Sequence, residues 1–500
     1  MIHLEHSAEP STDFADGENT GLIDGLARII PPSGLLTSEE DLRPYECDGL
    51  SAYRRLPLAV VLPETEAQVV AVLKACHAAG TPVVPRGAGT GLSAGALPHP
   101  QGIVLSLARL NRILAVDPLA RVAVVQPGVR NLAVSEAVAH HGLYYAPDPS
   151  SQIACSIGGN VAENSGGVHC LKYGLTLHNV LRVRAVTMSG EIVVFGNHAL
   201  DAPGYDLLAL VIGSEGLLAV VTEVTLKLLP KPATARVILA SFADITEAGE
   251  AVAAIIGAGI IPAGLEMMDQ ATTEAVEAFV QAGYDLHAAA TLLCESDGTP
   301  EAVAEEVALM TAVLESSGAT AIRISQDEAE RQLLWAGRKS AFPAAGRISP
   351  DYYCMDGTIP RRQLGAMLKD IAAMEREHGL RCINVFHAGD GNLHPLILYD
   401  ANVPGELERT EAFGAAILKR SVELGGTITG EHGVGFEKID AMCGQFGTDE
   451  LRAFHAVKQA FDPEGLLNPG KAIPTLHRCA ELGRMHVHRG QQKFPELERF

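Results

Sequence analysis

The sequence predicts an α+β protein, and three observations carry that prediction. Between residues 57 and 230, short apolar runs and helical periodicity alternate around two glycine-rich stretches that suit neither helix nor strand. A Pro230-Lys231-Pro232 break then reads as a boundary. Beyond it, strand-like runs and amphipathic helices take turns regularly, a pattern that calls for a sheet with helices packed on it.

In chain order, residues 1–55 read as an acidic leader and a short helical element. Ala59–Leu62 is an apolar run of strand length. Thr65 and Gln68 form a capping-box pair ahead of Val69, Val72, Leu73 and Cys76 on one helical face. Pro82–Pro85, Ile103–Leu107, Ile113–Val116 and Val122–Val125 read as strands, and Asn131–His140 as a helix stopped by Gly142. Arg182–Val186 and Ile192–Phe195 form a hairpin about Ser189-Gly190, and Val220–Leu229 is a long apolar strand. In the second half, strands are expected at Val237–Phe242, Ala288–Cys294, Ala321–Ser325, Asp351–Thr358, Ile383–His387 and Leu396–Tyr399. Helices are expected around 244–256, 300–316, 326–339, 360–378, 406–424 and 449–461.

The net charge is −22. Such a surface does not suit nucleic acid, which needs clustered Lys and Arg, nor broad adhesion to an anionic membrane. The nine cysteines are scattered without a C-x-x-C pair, which argues against a disulfide framework, a zinc ribbon or an iron–sulfur site and fits a reducing cytosol. The N-terminus shows no apolar signal region. The longest apolar stretch, Ala251–Leu265, falls short of the roughly 20 residues of a membrane span. The expectation is a soluble, cytoplasmic chain, peripheral on a membrane at most.

Chemistry concentrates in a few motifs. VVPRGAGTGLSAG (83–95) spaces Gly87, Gly89, Gly91 and Gly95 so that bare backbone amides can approach a diphosphate, with Arg86 adding charge. It is not a G-x-G-x-x-G nicotinamide fingerprint. PDPSSQIACSIGGNVAENSGG (147–167) carries two glycine pairs around Asn160 and Asn164 and suits backbone wrapped around a ligand. GSEGLLAVVTEV (213–224) reads as a turn entering a strand, more structure than site. GLLNPGK (465–471) has Walker-A spacing, but Ala472 replaces the required hydroxyl and Pro469 removes an amide. His387 and His394 bracket a loop between two strand-like runs, and Glu431 sits in a Gly-rich turn beside His432. Two imidazoles and a carboxylate can make a divalent metal site, or contact substrate directly.

Together these motifs resemble the flavin domain of the vanillyl-alcohol oxidase, or p-cresol methylhydroxylase (PCMH), superfamily. HAGDGNLHP (387–395), GTITGEHGVG (426–435) and FDPEGLLNPGK (461–471) resemble its D-2-hydroxyacid dehydrogenase branch, which includes D-lactate, D-2-hydroxyglutarate and glycolate dehydrogenases. RISPDYYCMDGTIPRR and the tail are most similar to the flavoprotein subunits of bacterial glycolate oxidases.

The resemblance implies a PCMH-type FAD-binding domain of two α+β subdomains at 56–234. An antiparallel-sheet α+β substrate (cap) domain at 235–474 would follow, with a C-terminal return to the flavin, and then a tail at 475–500. It implies FAD-dependent oxidation of a small 2-hydroxy acid, glycolate or D-lactate, with electrons passed to partner subunits (a second flavin subunit and an iron–sulfur subunit) or to quinone; a D-lactate dehydrogenase acting alone is the alternative enzyme. The flavin contacts it implies are Arg86, Gly87, Ala88, Gly89, Thr90, Gly91, Ser93, Pro149, Cys155, Gly158, Gly159, Asn164, Gly166, Gly167, Val220 and Asn468. Thr90 stands where relatives with covalent flavin carry His, so FAD is expected to be non-covalent. Leu217 and Ala219 depart from the family's usual S-E-G-T-L-G. His387, His394 and Glu431 would hold zinc, manganese or iron, His432 would be the base, and Arg338 would grip the substrate carboxylate. Some relatives carry Lys where Cys354 stands, which favours a small monocarboxylate here. A flavin electron-transfer subunit without substrate chemistry is the other class, and it would not need this histidine and carboxylate set.

Overall fold

The computed structural model describes residues 16–198, 203–475 and 478–479. Three sheets organise it. The first has the order Leu35–Leu36, Ala59–Val61, Ile103–Ser106, Val83–Arg86. Its last three strands are parallel, as a βαβ connection through the helix Glu66–Ala78 requires. Both halves of the Thr65–Gln68 capping box form, and Val69, Val72, Leu73 and Cys76 are buried on one face. The second sheet is antiparallel, in the order Ile113–Asp117, Val122–Val125, Val220–Lys227, Val180–Val186, Ile192–Gly196.

The third sheet has seven antiparallel strands: Ala321–Ile324, Thr234–Phe242, Ala290–Gly298, Gly264–Asp269, Arg381–His387, Asn392–Tyr399 and Asp351–Cys354. Alternation along each strand splits the side chains between two cores. Ile238, Ala240, Leu265, Phe386 and Ile397 pack under the helices Ile245–Gly257, Pro300–Ser316, Leu364–His378 and Glu406–Glu423. Val237, Leu239, Met268, Val385 and Leu396 face the helices Gln270–Val280 and Glu328–Lys339 and, through Val168, the first half of the chain. Leu467 bridges to Val83, so the C-terminal segment returns to the edge of the first sheet.

Three expectations need correction. Gly264–Asp269 and Gln270–Val280 are a strand and a helix that the periodicity did not suggest, because Glu266 and Asp269 break the apolar run of what is a central strand. The strand expected over Asp351–Thr358 ends at Cys354, where the chain turns to carry Asp356 inward. Cys443 and Cys479 are bridged, with Cα atoms 5.2 Å apart. The scattered spacing hid the pair: Cys443 sits on the helix Ile439–Gln445, and Cys479 reaches it from beyond the helix Thr448–Phe461, packing in one cluster with Leu451. Beyond Thr475, Arg478 and Cys479, the tail lies outside the described residues. Among the described residues, no helix is long and apolar enough to cross a membrane.

Candidate active site

A cavity of about 370 Å³ lies between the two halves of the chain. One wall is main chain. Val83–Arg86 ends in the loop Arg86–Gly91, all of which lines the cavity. The Arg86 guanidinium donates to the Cys47 carbonyl at 2.7 Å and lies over the Tyr45 ring. Opposite, Pro149, Cys155, Gly158, Gly159 and Val220 line the same space. Ser156 caps the short helix Ile157–Glu163, accepting the Gly159 amide. Gly158 donates to the Pro127 carbonyl at 2.8 Å. A methyl group at Gly158 would sit 2.6 Å from Pro127 Cβ, so only glycine admits this approach.

Five residues expected at the ligand stand behind this wall. Ser93 donates its hydroxyl to the His432 carbonyl at 2.9 Å. Asn164, in a left-handed conformation, accepts the Leu177 amide, and Asn160 lines the cavity in its place. Gly166 makes room for Glu431, whose Oε2 would lie 2.6 Å from an added Cβ. Gly167 packs against the Asp148 backbone. Asn468 donates to the carbonyls of Gly95 and Glu215. All five tie segments of the wall together. Glu215, from the motif read as structure, both lines the cavity and accepts the amides of Val434 and Gly435 at 2.7 and 2.6 Å. It therefore fastens the loop that carries Glu431 and His432.

The other wall is side chain. The hairpin register sets Val385 opposite His394, so His387 and His394 are diagonal neighbours on one sheet face, with ring centroids 4.9 Å apart. Both Nε2 atoms reach Glu431 Oε1, at 3.2 and 3.0 Å. One donor atom from each of the three residues lies within 4.8 Å of the others. The opposite nitrogen of His387 meets Glu266 Oε1 at 2.8 Å, the carboxylate–histidine arrangement that orients metal-binding imidazoles. Burial alone would lower the His387 pKa, but Glu266 and Glu431 outweigh it and hold it well above the usual histidine range. The two histidines in turn overcome the burial of Glu431 and keep its carboxyl well below the ordinary value.

His432 stacks on His394 with rings 4° from parallel. Burial drives its pKa down to about 4, against the pull of Asp356, which keeps the imidazole neutral. His394, Glu431 and His432 line the cavity, while His387 lies just behind them.

Arg338 does not reach the wall. It is 1% exposed and paired with Glu266 at 2.5 Å. The next residue, Lys339, does line the cavity, with Nζ 3.6 Å from Asp148. Sequence reasoning also missed Glu266 and Asp356. Asp356, fully buried, accepts the amides of Gly430 and His432 at 3.0 and 2.8 Å, the Thr429 hydroxyl at 2.5 Å and Lys438 Nζ at 3.3 Å. Its only signal was a charged residue within a run read as strand.

Two family models match: "FAD binding domain" over residues 57–196 and "FAD linked oxidases, C-terminal domain" over 231–472. The chain is 61% identical over 485 residues to glycolate oxidase subunit GlcD of Escherichia coli, covering 97% of each chain. It is 32% identical over 457 residues to a D-lactate dehydrogenase of Anaerostipes hadrus, covering 88% of this chain and 95% of that one. The structure superposes on p-cresol methylhydroxylase with a TM-score of 0.77 at 19% identity, covering 93% and 98% of the two chains. The fold is thus of the PCMH type, and the chain belongs to the family of FAD-linked oxidases that includes the glycolate oxidase GlcD subunits.

Proposed function

We propose that this chain oxidises a small 2-hydroxy acid, glycolate foremost, to the 2-oxo acid as the flavoprotein subunit of a multi-subunit oxidase. The observation that carries the reading is the facing of a glycine-rich main-chain wall by His394, Glu431 and His432 across one cavity. FAD suits the first wall, where bare backbone and Arg86 can take a diphosphate, and Thr90 in the loop leaves it non-covalent. A divalent ion, zinc, manganese or iron, suits His387, His394 and Glu431, whose donor atoms converge and whose outer nitrogen is held by a carboxylate. When bound, FAD supplies a two-electron acceptor for the hydride on the substrate's α-carbon, and the ion supplies Lewis acidity toward its hydroxyl oxygen.

The chain's own side chains do the rest. Neutral His432 accepts the hydroxyl proton. Asp356 fixes the loop that carries it, through the His432 amide. Lys339, on the wall, takes the substrate carboxylate. Arg338 neutralises Glu266 so that this carboxylate can hold His387, and it would meet substrate only by leaving Glu266. Phe342 and Pro343 line the same cavity. Electrons then leave to partner subunits, a second flavoprotein and an iron–sulfur protein, on the cytoplasmic side and with any membrane contact made through those partners.

D-lactate is the second reading, favoured by the Anaerostipes relative. Anaerobic mixing of the yellow protein with glycolate, D-lactate and L-lactate decides between them. Glycolate should bleach the flavin fastest. Bleaching by D-lactate alone would make the chain a lactate dehydrogenase, and bleaching by none would reduce it to an electron-transfer subunit.

A further inference from the structure

Cys354 ends the strand Asp351–Cys354 and projects to the same sheet face as His394, both belonging to the side that looks toward the cavity. One ligating atom each from Cys354, His394 and His432 lies within 4.8 Å of the other two. This set is distinct from His387, His394 and Glu431, although it shares one ring. His394 turns Nε2 to Glu431, whereas its Nδ1 is buried without a hydrogen-bond partner, 4.0 Å from Asp356. Nδ1 of His432 is likewise buried and unpartnered. The Cys354 thiol makes only a weak contact with the Met355 carbonyl. Buried polar atoms left unpaired are costly, and the two rings that carry them each bring a nitrogen within 4.8 Å of the thiol sulfur.

We propose that Cys354, His394 and His432 form a second metal site, selective for a soft ion of the zinc or cadmium class. One sulfur and two imidazole nitrogens suit such an ion, with a fourth position left open. Donor atoms of a tetrahedral site lie roughly 3.5 Å apart, so modest rotation of side chains already in contact closes it. Asp356 and Lys438 beside the site hold opposite charges, so the ion's charge is met by the thiolate. On binding beside the resident ion, the Cys354 S–H bond and the His394 Nδ1–H bond both break, sulfur–metal and nitrogen–metal bonds form with His394 bridging the two ions as imidazolate, and two protons go to solvent, so binding strengthens as pH rises. Nothing is oxidised or reduced.

One consequence rests on the functional reading above. An ion that holds His432 takes the lone pair needed for the hydroxyl proton, so the site is inhibitory. The FAD-loaded protein, with its resident metal, is titrated with cadmium and zinc in wild type, Cys354→Ser and Cys354→Ala. Cadmium should raise a thiolate-to-metal absorption band that saturates near one equivalent in wild type and is missing from both variants at equal flavin content. Zinc should slow flavin reduction by glycolate, with at least ~10-fold more zinc needed in Cys354→Ser, the loss expected on removing a ligand. Cadmium NMR of the wild type checks the site without any variant, and the expected signature is one sulfur with nitrogen ligands. A signature with no sulfur, or a band unchanged in flavin-replete variants, overturns the site. A sulfur signature without inhibition keeps the site and overturns His432 as the base.

Discussion

The two walls of the cavity are built on opposite principles. The wall of residues 86–91 and 149–159 works through what it lacks: Gly87, Gly89, Gly91, Gly158 and Gly159 leave backbone bare where a ligand or another strand must come close. The facing wall works through what it carries, imidazoles and carboxylates buried in one chain of contacts from Arg338 through Glu266 and His387 to Glu431 and His394. The difference teaches that damage to the first wall should be read out as lost cofactor, and damage to the second as lost turnover with the cofactor still in place.

The largest effect should come from His432→Ala. Removal of a general base costs about 10²–10⁴-fold, and rapid mixing should show slow flavin reduction by glycolate with normal flavin and metal content. His387→Ala or His394→Ala should cost at least about 10–100-fold, here with metal falling in elemental analysis while the flavin spectrum persists. A chelator should mimic these two changes and not the His432→Ala change, which leaves the metal content normal. Full wild-type activity with no stoichiometric metal would dissolve the distinction between the two effects.

Lys339→Met sharpens the comparison within the second wall. A charge-assisted hydrogen bond is worth about 1.5–3 kcal/mol, so KM for glycolate should rise roughly 10–100-fold with flavin retained. A rise on Arg338→Gln instead, with Lys339→Met silent, would return the carboxylate to Arg338. Gly158→Ala tests the first wall. Its methyl meets Pro127 at 2.6 Å, and overpacking costs about 1–3 kcal/mol. FAD released by acid should fall per mole of protein while turnover per bound flavin stays normal.

The smallest effect concerns the seam between the walls. His169 joins Asp148 at 2.8 Å to Glu295 at 3.0 Å. Burial lowers its pKa, but these two carboxylates raise it to about 10. A group raised in the folded state from about 6.5 stabilises fully below that pH and loses its contribution as pH climbs toward 10. His169→Gln should therefore lower the thermal midpoint by a few degrees at neutral pH. The gap from wild type should narrow steadily from pH 7 to 10, and a gap constant over that range would show that His169 is neutral.

Much of the first wall was legible in advance because glycine spacing is a local signal: a loop that must lie bare is written in consecutive residues. The diad of His387 and His394 was legible for a similar reason, since a hairpin brings near neighbours in sequence together. What could not be read locally was which residues stand behind. Ser93, Asn164, Gly166, Gly167 and Asn468 looked like ligand contacts because they share the motifs, yet they fasten one segment to another. Glu266 and Asp356 looked like interruptions of strands.

By itself, then, the sequence determined the α+β class, the alternation of strands and helices, the glycine-rich loop and the identity of the ionisable groups, because propensity, capping and side-chain period act over a few residues. Only the tertiary structure decided that Glu266, 121 residues before His387, would orient that ring, that Arg338 would face inward while Lys339 faced the cavity, and that Cys354 would stand beside the imidazoles of His394 and His432. Those choices depend on which strands become neighbours in the seven-stranded sheet. Strand order is set by the burial of whole faces against one another, and no window of local sequence contains it.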